Sequence, residues 1–194
     1  MASKLKTDIL ETVSGSGTIA LNNQLSGMTS ASVPTGSVLQ IVSATLKSAV
    51  AISVSQTNNY VASGLTATIT PSSTSSKILV SVNMQAAFSV GTMHFRLARG
   101  SDSTICIGDA GASNQLRDTM SSRVNGTPYV LEMNSISMQH LDSPSTTSGT
   151  TYSVMLSLGA TYNGNMFVNR TNDQTNADYA PRATSTITLT EIKG

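Results

Sequence analysis

Between Lys77 and Ala86 the side chains alternate: Ile78, Val80, Val82, Met84 and Ala86 share one parity, and Ser81, Asn83 and Gln85 fall on the other. A period of two sends successive side chains to opposite faces of an extended chain, and a helix of 3.6 residues per turn has no equivalent. The segment therefore reads as a strand with one face in a core. The pattern returns where Leu65, Ala67 and Ile69 alternate with Thr66, Thr68 and Thr70, and where Tyr152, Val154, Leu156 and Leu158 alternate with Ser153, Met155 and Ser157. It closes the chain from Thr184 to Ile192, with Ile187 and Leu189 expected to point inward.

Further strands are expected at 38 to 46, 50 to 55, 92 to 98, 104 to 107 and 129 to 138. In the last of these, Leu131 and Met133 have one parity and Ile136 and Met138 the other, which predicts a bulge or a bend between sheets. Two hairpins are expected. Pro71 to Ser76 separates one pair of alternating runs, and Asn163-Gly164, the favoured pair of a two-residue type I′ turn, separates Leu158 from the run Met166-Phe167-Val168. No helical pattern is long enough for βαβ units, so the class is all-β: an antiparallel sandwich at 37–194, preceded by a short segment at 1–36.

That segment has a different texture. Ser14-Gly15-Ser16-Gly17 and the stretch from Ser26 to Gly36 are turn-rich and flank Thr18-Ile19-Ala20-Leu21. So few apolar residues cannot form a core within one chain. Ile9, Ile19, Leu21 and Leu25 are instead expected to pack against their counterparts in neighbouring copies, as a stem.

Ser and Thr outnumber charged residues by more than two to one, and charged residues are only 11% of the chain. About 25% is usual. Soluble β-proteins guard sheet edges with charge, lysine above all. A sandwich so poor in charge needs its edges covered, and the simplest cover is a second copy. The balance of 11 basic and 10 acidic residues leaves no electrostatic footprint for nucleic acid. Neither a signal-peptide core nor a run approaching the ~20 apolar residues of a membrane span is present in the sequence. The expectation is a protein made in a cytoplasm, with no membrane insertion.

The chemistry-bearing residues suggest no active site. The ten acids fall mostly in expected loops, never as a close pair on one strand face, so the facing carboxylates of a glycosidase are not suggested. His94 and His140 have no ligand spacing and read as surface or interface residues. Cys106, the single cysteine, lies between Ile105 and Ile107 and reads as a buried thiol. Gly108 to Ser113 lacks the lysine and the helix of a phosphate-binding loop. Arg96, Arg99, Arg117 and Arg123 are expected to pair locally with Asp102, Asp109 and Asp118, and Met84, Met93, Met133 and Met155 to fill gaps in the core. Catalytic residues, metal ligands and cofactors are accordingly expected to be none. One long loop, 171–183, carries Asn172, Asp173, Asn176, Asp178 and Tyr179, the amide, carboxylate and aromatic groups that hold sugars. These are the candidate ligand-facing residues; the loop from Ser113 to Asn125 is a weaker candidate.

The run Thr18-Ile19-Ala20-Leu21-Asn22-Asn23-Gln24-Leu25, continuing to Gln40, resembles the N-terminal region of virion structural proteins from tailed phages of marine bacteria, cyanobacteria among them. Leu141-Asp142-Ser143-Pro144 followed by Thr151-Tyr152, and the terminal run Ser185 to Ile192, resemble the heads of the same fibre-type proteins. The resemblance implies a homotrimeric fibre or appendage on the virion. Its N-terminus would bind other virion proteins, and its jelly-roll head would be of the tumour-necrosis-factor and C1q kind, displayed toward a host surface glycan or protein. A stem this short reaches at most ~3.6 Å per residue, which implies a stubby protrusion. The alternatives are a capsid or tail decoration or joining protein without a receptor and, less favoured, a polysaccharide-degrading tailspike or a cellular lectin-like head.

Overall fold

The computed structural model describes residues 33–54, 59–88, 91–101, 103–112, 115–124, 131–159 and 164–194. Ile9, Ile19, Leu21 and Leu25 lie outside them, and the chain divides after Val33, so the fold described is that of Pro34–Gly194. It is all-β. The eleven strands are β1 Val38–Leu46, β2 Val50–Val54, β3 Val61–Ile69, β4 Lys77–Ala87, β5 Gly91–Arg99, β6 Ser103–Ile105, β7 Met120–Val124, β8 Asn134–Asp142, β9 Thr150–Leu158, β10 Gly164–Val168 and β11 Ser185–Ile192. Among the described residues no helix is long and apolar enough to cross a membrane.

Among the described residues every strand pairing is antiparallel, and the strands form two sheets. In the first, the order β1-β11-β4-β8 is built around β4, whose last residues Ala86 and Ala87 also pair with β10, which in turn pairs with β2. In the second, β3-β9-β5 continues to β7 along the first half of β5 and to β6 along its second half.

The inward parities meet as expected. Ile78, Val80, Val82 and Met84 of β4, Ile136 and Met138 of β8 and Ile187 and Leu189 of β11 are all buried. They belong to one core with Leu65, Ala67 and Ile69 of β3, Met93, Phe95 and Leu97 of β5 and Tyr152, Val154, Leu156 and Leu158 of β9. Each such aliphatic side chain contributes about 1.5–3 kcal/mol on burial. On β3 the register shifts between Ala62 and Thr66, where Gly64 takes a φ of 83°. The partner segment advances by two residues while β3 advances by four, so the inward parity is the same on both sides of the irregularity.

Several local expectations are corrected. Neither expected hairpin forms: β3 and β4 lie in different sheets, as do β9 and β10. The turn after β3 is tied down by Ser72 and Ser76, which donate to the Glu191 carboxylate of β11, and β4 leaves it into the other sheet. Strand β8 runs in unbroken register against β4 from Asn134 to Asp142, so Leu131 and Met133 precede it and no bulge is needed. Met120–Val124 forms strand β7 inside the stretch expected to be a loop. Cys106 is exposed, because its φ of 53° turns the chain out of β6 before the thiol can enter the core.

Candidate functional site

The outer face of the β1-β11-β4-β8 sheet is a surface that the sequence pattern and the topology build together. Register lines its residues up in rows across the four strands. Ile41, Thr190, Leu79 and Leu141 form one row; Ser43, Thr188, Ser81 and Gln139 the next; Thr45, Thr186, Asn83 and Ser137 the third. None of these side chains is charged. Ile41 is 64% exposed and Leu141 45% exposed, so the first row presents aliphatic groups to solvent. The first of the polar rows hydrogen-bonds within itself, Ser43 to Thr188 at 3.1 Å and Gln139 Nε2 to Ser81 Oγ at 3.1 Å. A shallow groove of ≈300 Å³ runs along them.

Loop 171–183 connects β10 to β11 and is closed at its neck. Arg170 and Arg182 form an antiparallel bridge, Ala183 N donates to Asn169 O at 3.0 Å, and the Asn169 amide donates to Leu46 O and Ser48 O at 2.7 and 3.1 Å. Asn169 is buried with a φ of 61°, a left-handed conformation that asparagine tolerates better than most residues. Of the candidate ligand-facing residues, Asp173 and Asn176 line a cleft of ≈350 Å³ together with Arg170, Arg182, Gln174 and Thr175. Asn172, Asp178 and Tyr179 do not line it, and Tyr179 is 55% exposed. Asp173 Oδ1 accepts from both the backbone N–H and the hydroxyl of Thr175, at 2.9 and 2.6 Å, which holds its carboxyl below the ordinary range. The two arginines escaped the sequence reading. Their position at either end of a long loop is the signal that could have found them.

A second cleft, of ≈520 Å³, lies beside β5 and β7 and is lined by His94, Asp109, Arg117 and Asp118 among others. Asp118 accepts from the Tyr60 hydroxyl on Oδ1 at 2.5 Å and meets His94 Nδ1 on Oδ2 at 2.5 Å. Burial first, and then the Asp118 carboxylate, hold the Tyr60 hydroxyl far above its ordinary pKa, so it remains a donor. Arg96 stacks on the Tyr60 ring, 3.7 Å from its centre, and donates from Nε to Arg117 O. This corrects the expected pairing of Arg96 and Arg117 with Asp118, which takes a tyrosine and a histidine instead. His94 is likewise largely buried in this cluster rather than free on the surface. The arrangement orients an imidazole, but among the described residues no hydroxyl or thiol is hydrogen-bonded to it. Among the described residues no group of three or more His, Cys, Asp and Glu could hold a metal ion.

Two other polar clusters are architectural. Arg99 Nη1 reaches both oxygens of Asp142, at 2.9 and 2.8 Å, rather than Asp109; Asp102 lies outside the described residues. Buried Glu191 accepts from Gln40, Ser72 and Ser76. Both carboxylates have their partners within the fold. No protein-family model and no curated protein sequence matches the chain.

Proposed function

We propose that this chain is a virion structural protein of a tailed phage, a short trimeric tail or head fibre. Residues 1–36 dock it to the particle, and the β-sandwich head displays its loops toward the host. The observation that carries the self-associating part is the three uncharged rows on the outer face of the β1-β11-β4-β8 sheet, with Ile41 and Leu141 open to solvent along one of them. A four-stranded face whose three central rows carry no charge, with Lys77 at its end and edge strands β1 and β8 that carry no lysine, is what a sheet buried between copies requires. The number three and the virion come from the resemblance of the Thr18 to Gln40 run and of the head segments. The strand order β1-β11-β4-β8 facing β3-β9-β5-β7 supports a jelly roll wound as two Greek keys.

Host contact in such a fibre works by multivalency: weak contacts repeated on each trimer, and over many trimers per particle, gain avidity without a deep pocket. Three measurements test the reading. Light scattering on the purified chain should give a trimer mass, deletion of residues 1–17 should abolish incorporation into particles, and the intact protein should bind host cells. A stable monomer, or incorporation that survives the deletion, overturns it. A trimer that ignores host cells, and whose loss weakens the particle, identifies a decoration or joining protein.

A further inference from the structure

Arg170 and Arg182 sit directly opposite each other on an antiparallel bridge at the neck of loop 171–183. Directly opposed residues of such a pair share one face, and like charges there are destabilising. Among the described residues neither arginine makes an ion pair. Arg170 is also 8% exposed, and its guanidinium is fixed in place by the Phe167 ring, 4.3 Å from the ring centre, and by the Gln174 amide, whose oxygen turned toward it accepts from it. Burial first, and then the charge of Arg182, hold Arg170 below its ordinary pKa. A guanidinium held beside a second one, in a cleft of ≈350 Å³ open to solvent, has the charge and geometry to receive an anion.

The remaining lining narrows the anion. Asp173 stands in the same cleft, ionised and oriented by Thr175, with Asn176 beside it. A carboxylate there repels a doubly charged phosphate but accepts hydrogen bonds from hydroxyls. The ligand that satisfies both halves carries one negative charge with hydroxyl groups next to it. We infer that the cleft at the neck of loop 171–183 binds an acidic saccharide, its uronate carboxylate held by Arg170 and Arg182 and its ring hydroxyls by Asp173 and Asn176. This deepens the ligand-displaying part of the proposed function and rests on that part alone.

The test titrates the full chain, in its native oligomeric state, with a uronic-acid oligosaccharide, with a neutral oligosaccharide of equal length, and with inorganic phosphate. Binding of the uronate at least 10-fold tighter than either of the others is expected. Arg182→Gln, at an exposed position that leaves the core untouched, should weaken uronate binding at least 10-fold. Asp173→Asn should lower the preference for uronate over phosphate. Equal binding of acidic and neutral sugars, phosphate bound as tightly as uronate, no binding of any probe, or an Arg182→Gln protein indistinguishable from the parent overturns the inference. Uronate binding by a protein that is monomeric and absent from particles would sink the virion reading while leaving this one standing. A particle-borne trimer blind to uronate would do the reverse.

Discussion

Tyr152 of β9 donates its hydroxyl to Asp142 Oδ2 of β8 at 2.7 Å, a bond that joins the two sheets through the buried edge of the core. Arg99 of β5 closes the same carboxylate from its other side. Burial first, and then the Asp142 carboxylate, hold the Tyr152 hydroxyl far above its ordinary pKa, so the donor is permanent. The segments Leu141 to Pro144 and Thr151-Tyr152, which carry part of the resemblance, are thus where one sheet is fastened to the other.

Tyr152→Phe keeps the ring and removes this bond, and should lower unfolding stability by about 1–2 kcal/mol. Arg99→Met leaves Asp142 with its charge and one partner fewer; the partial exposure of Arg99 screens the loss to about 2 kcal/mol. Urea titrations of both proteins measure these costs. Midpoints equal to that of the parent would show that the network contributes nothing to stability.

Glu191 makes stability depend on acid. Burial pushes its carboxyl up, but donors from Ser72, Ser76 and Gln40 outweigh burial and hold it below the ordinary 4.5 of a glutamate. A carboxyl depressed in the folded state contributes stability that is complete above the unfolded value and fades as the pH falls through the folded one. The melting temperature should therefore decline below about pH 4.5, and Glu191→Gln should flatten that decline while lowering stability at neutral pH. Parallel acid limbs for parent and mutant would contradict the assignment.

Ile41→Glu changes a side chain that is 64% exposed in the single chain, so the fold should be unaffected. Buried between copies, the new charge costs several kcal/mol, which raises the dissociation constant of the oligomer at least 100-fold. Sedimentation should then show a smaller particle with unchanged circular dichroism. If the mass stays the same, this face is not the interface.

Val82→Asp and Leu156→Asp place an unpaired carboxylate in the core, one from each sheet, at side chains almost wholly buried. Each should cost several kcal/mol and prevent soluble expression. Recovery of either variant as a folded protein would refute the inward parity of β4 or β9.

Strand identity was legible because it is local: Val38–Leu46 was expected to the residue, and Ile187 and Leu189 face the core as their parity requires. Turn residues misled where they were read alone. Pro71 to Ser76 reads as a hairpin loop, yet Glu191, more than a hundred residues away, captures Ser72 and Ser76 and directs β4 to the other sheet. Strand β7, Met-Ser-Ser-Arg-Val, has too little alternation to declare itself and exists because Gly91–Phe95 of β5 offers it a partner. The Tyr60, His94 and Asp118 cluster joins residues 24 and 58 positions apart, a distance over which sequence spacing has no meaning.

By itself, then, the amino-acid order determined that the chain is a β-sandwich with hydroxyl-coated outer faces and little charge, because the side-chain period of a strand is a property of consecutive residues. Only the tertiary structure decided which strands are neighbours, that Cys106 faces water, and that Arg170 meets Arg182. Those outcomes depend on which distant backbone and side-chain groups satisfy one another once the two sheets close on a shared core.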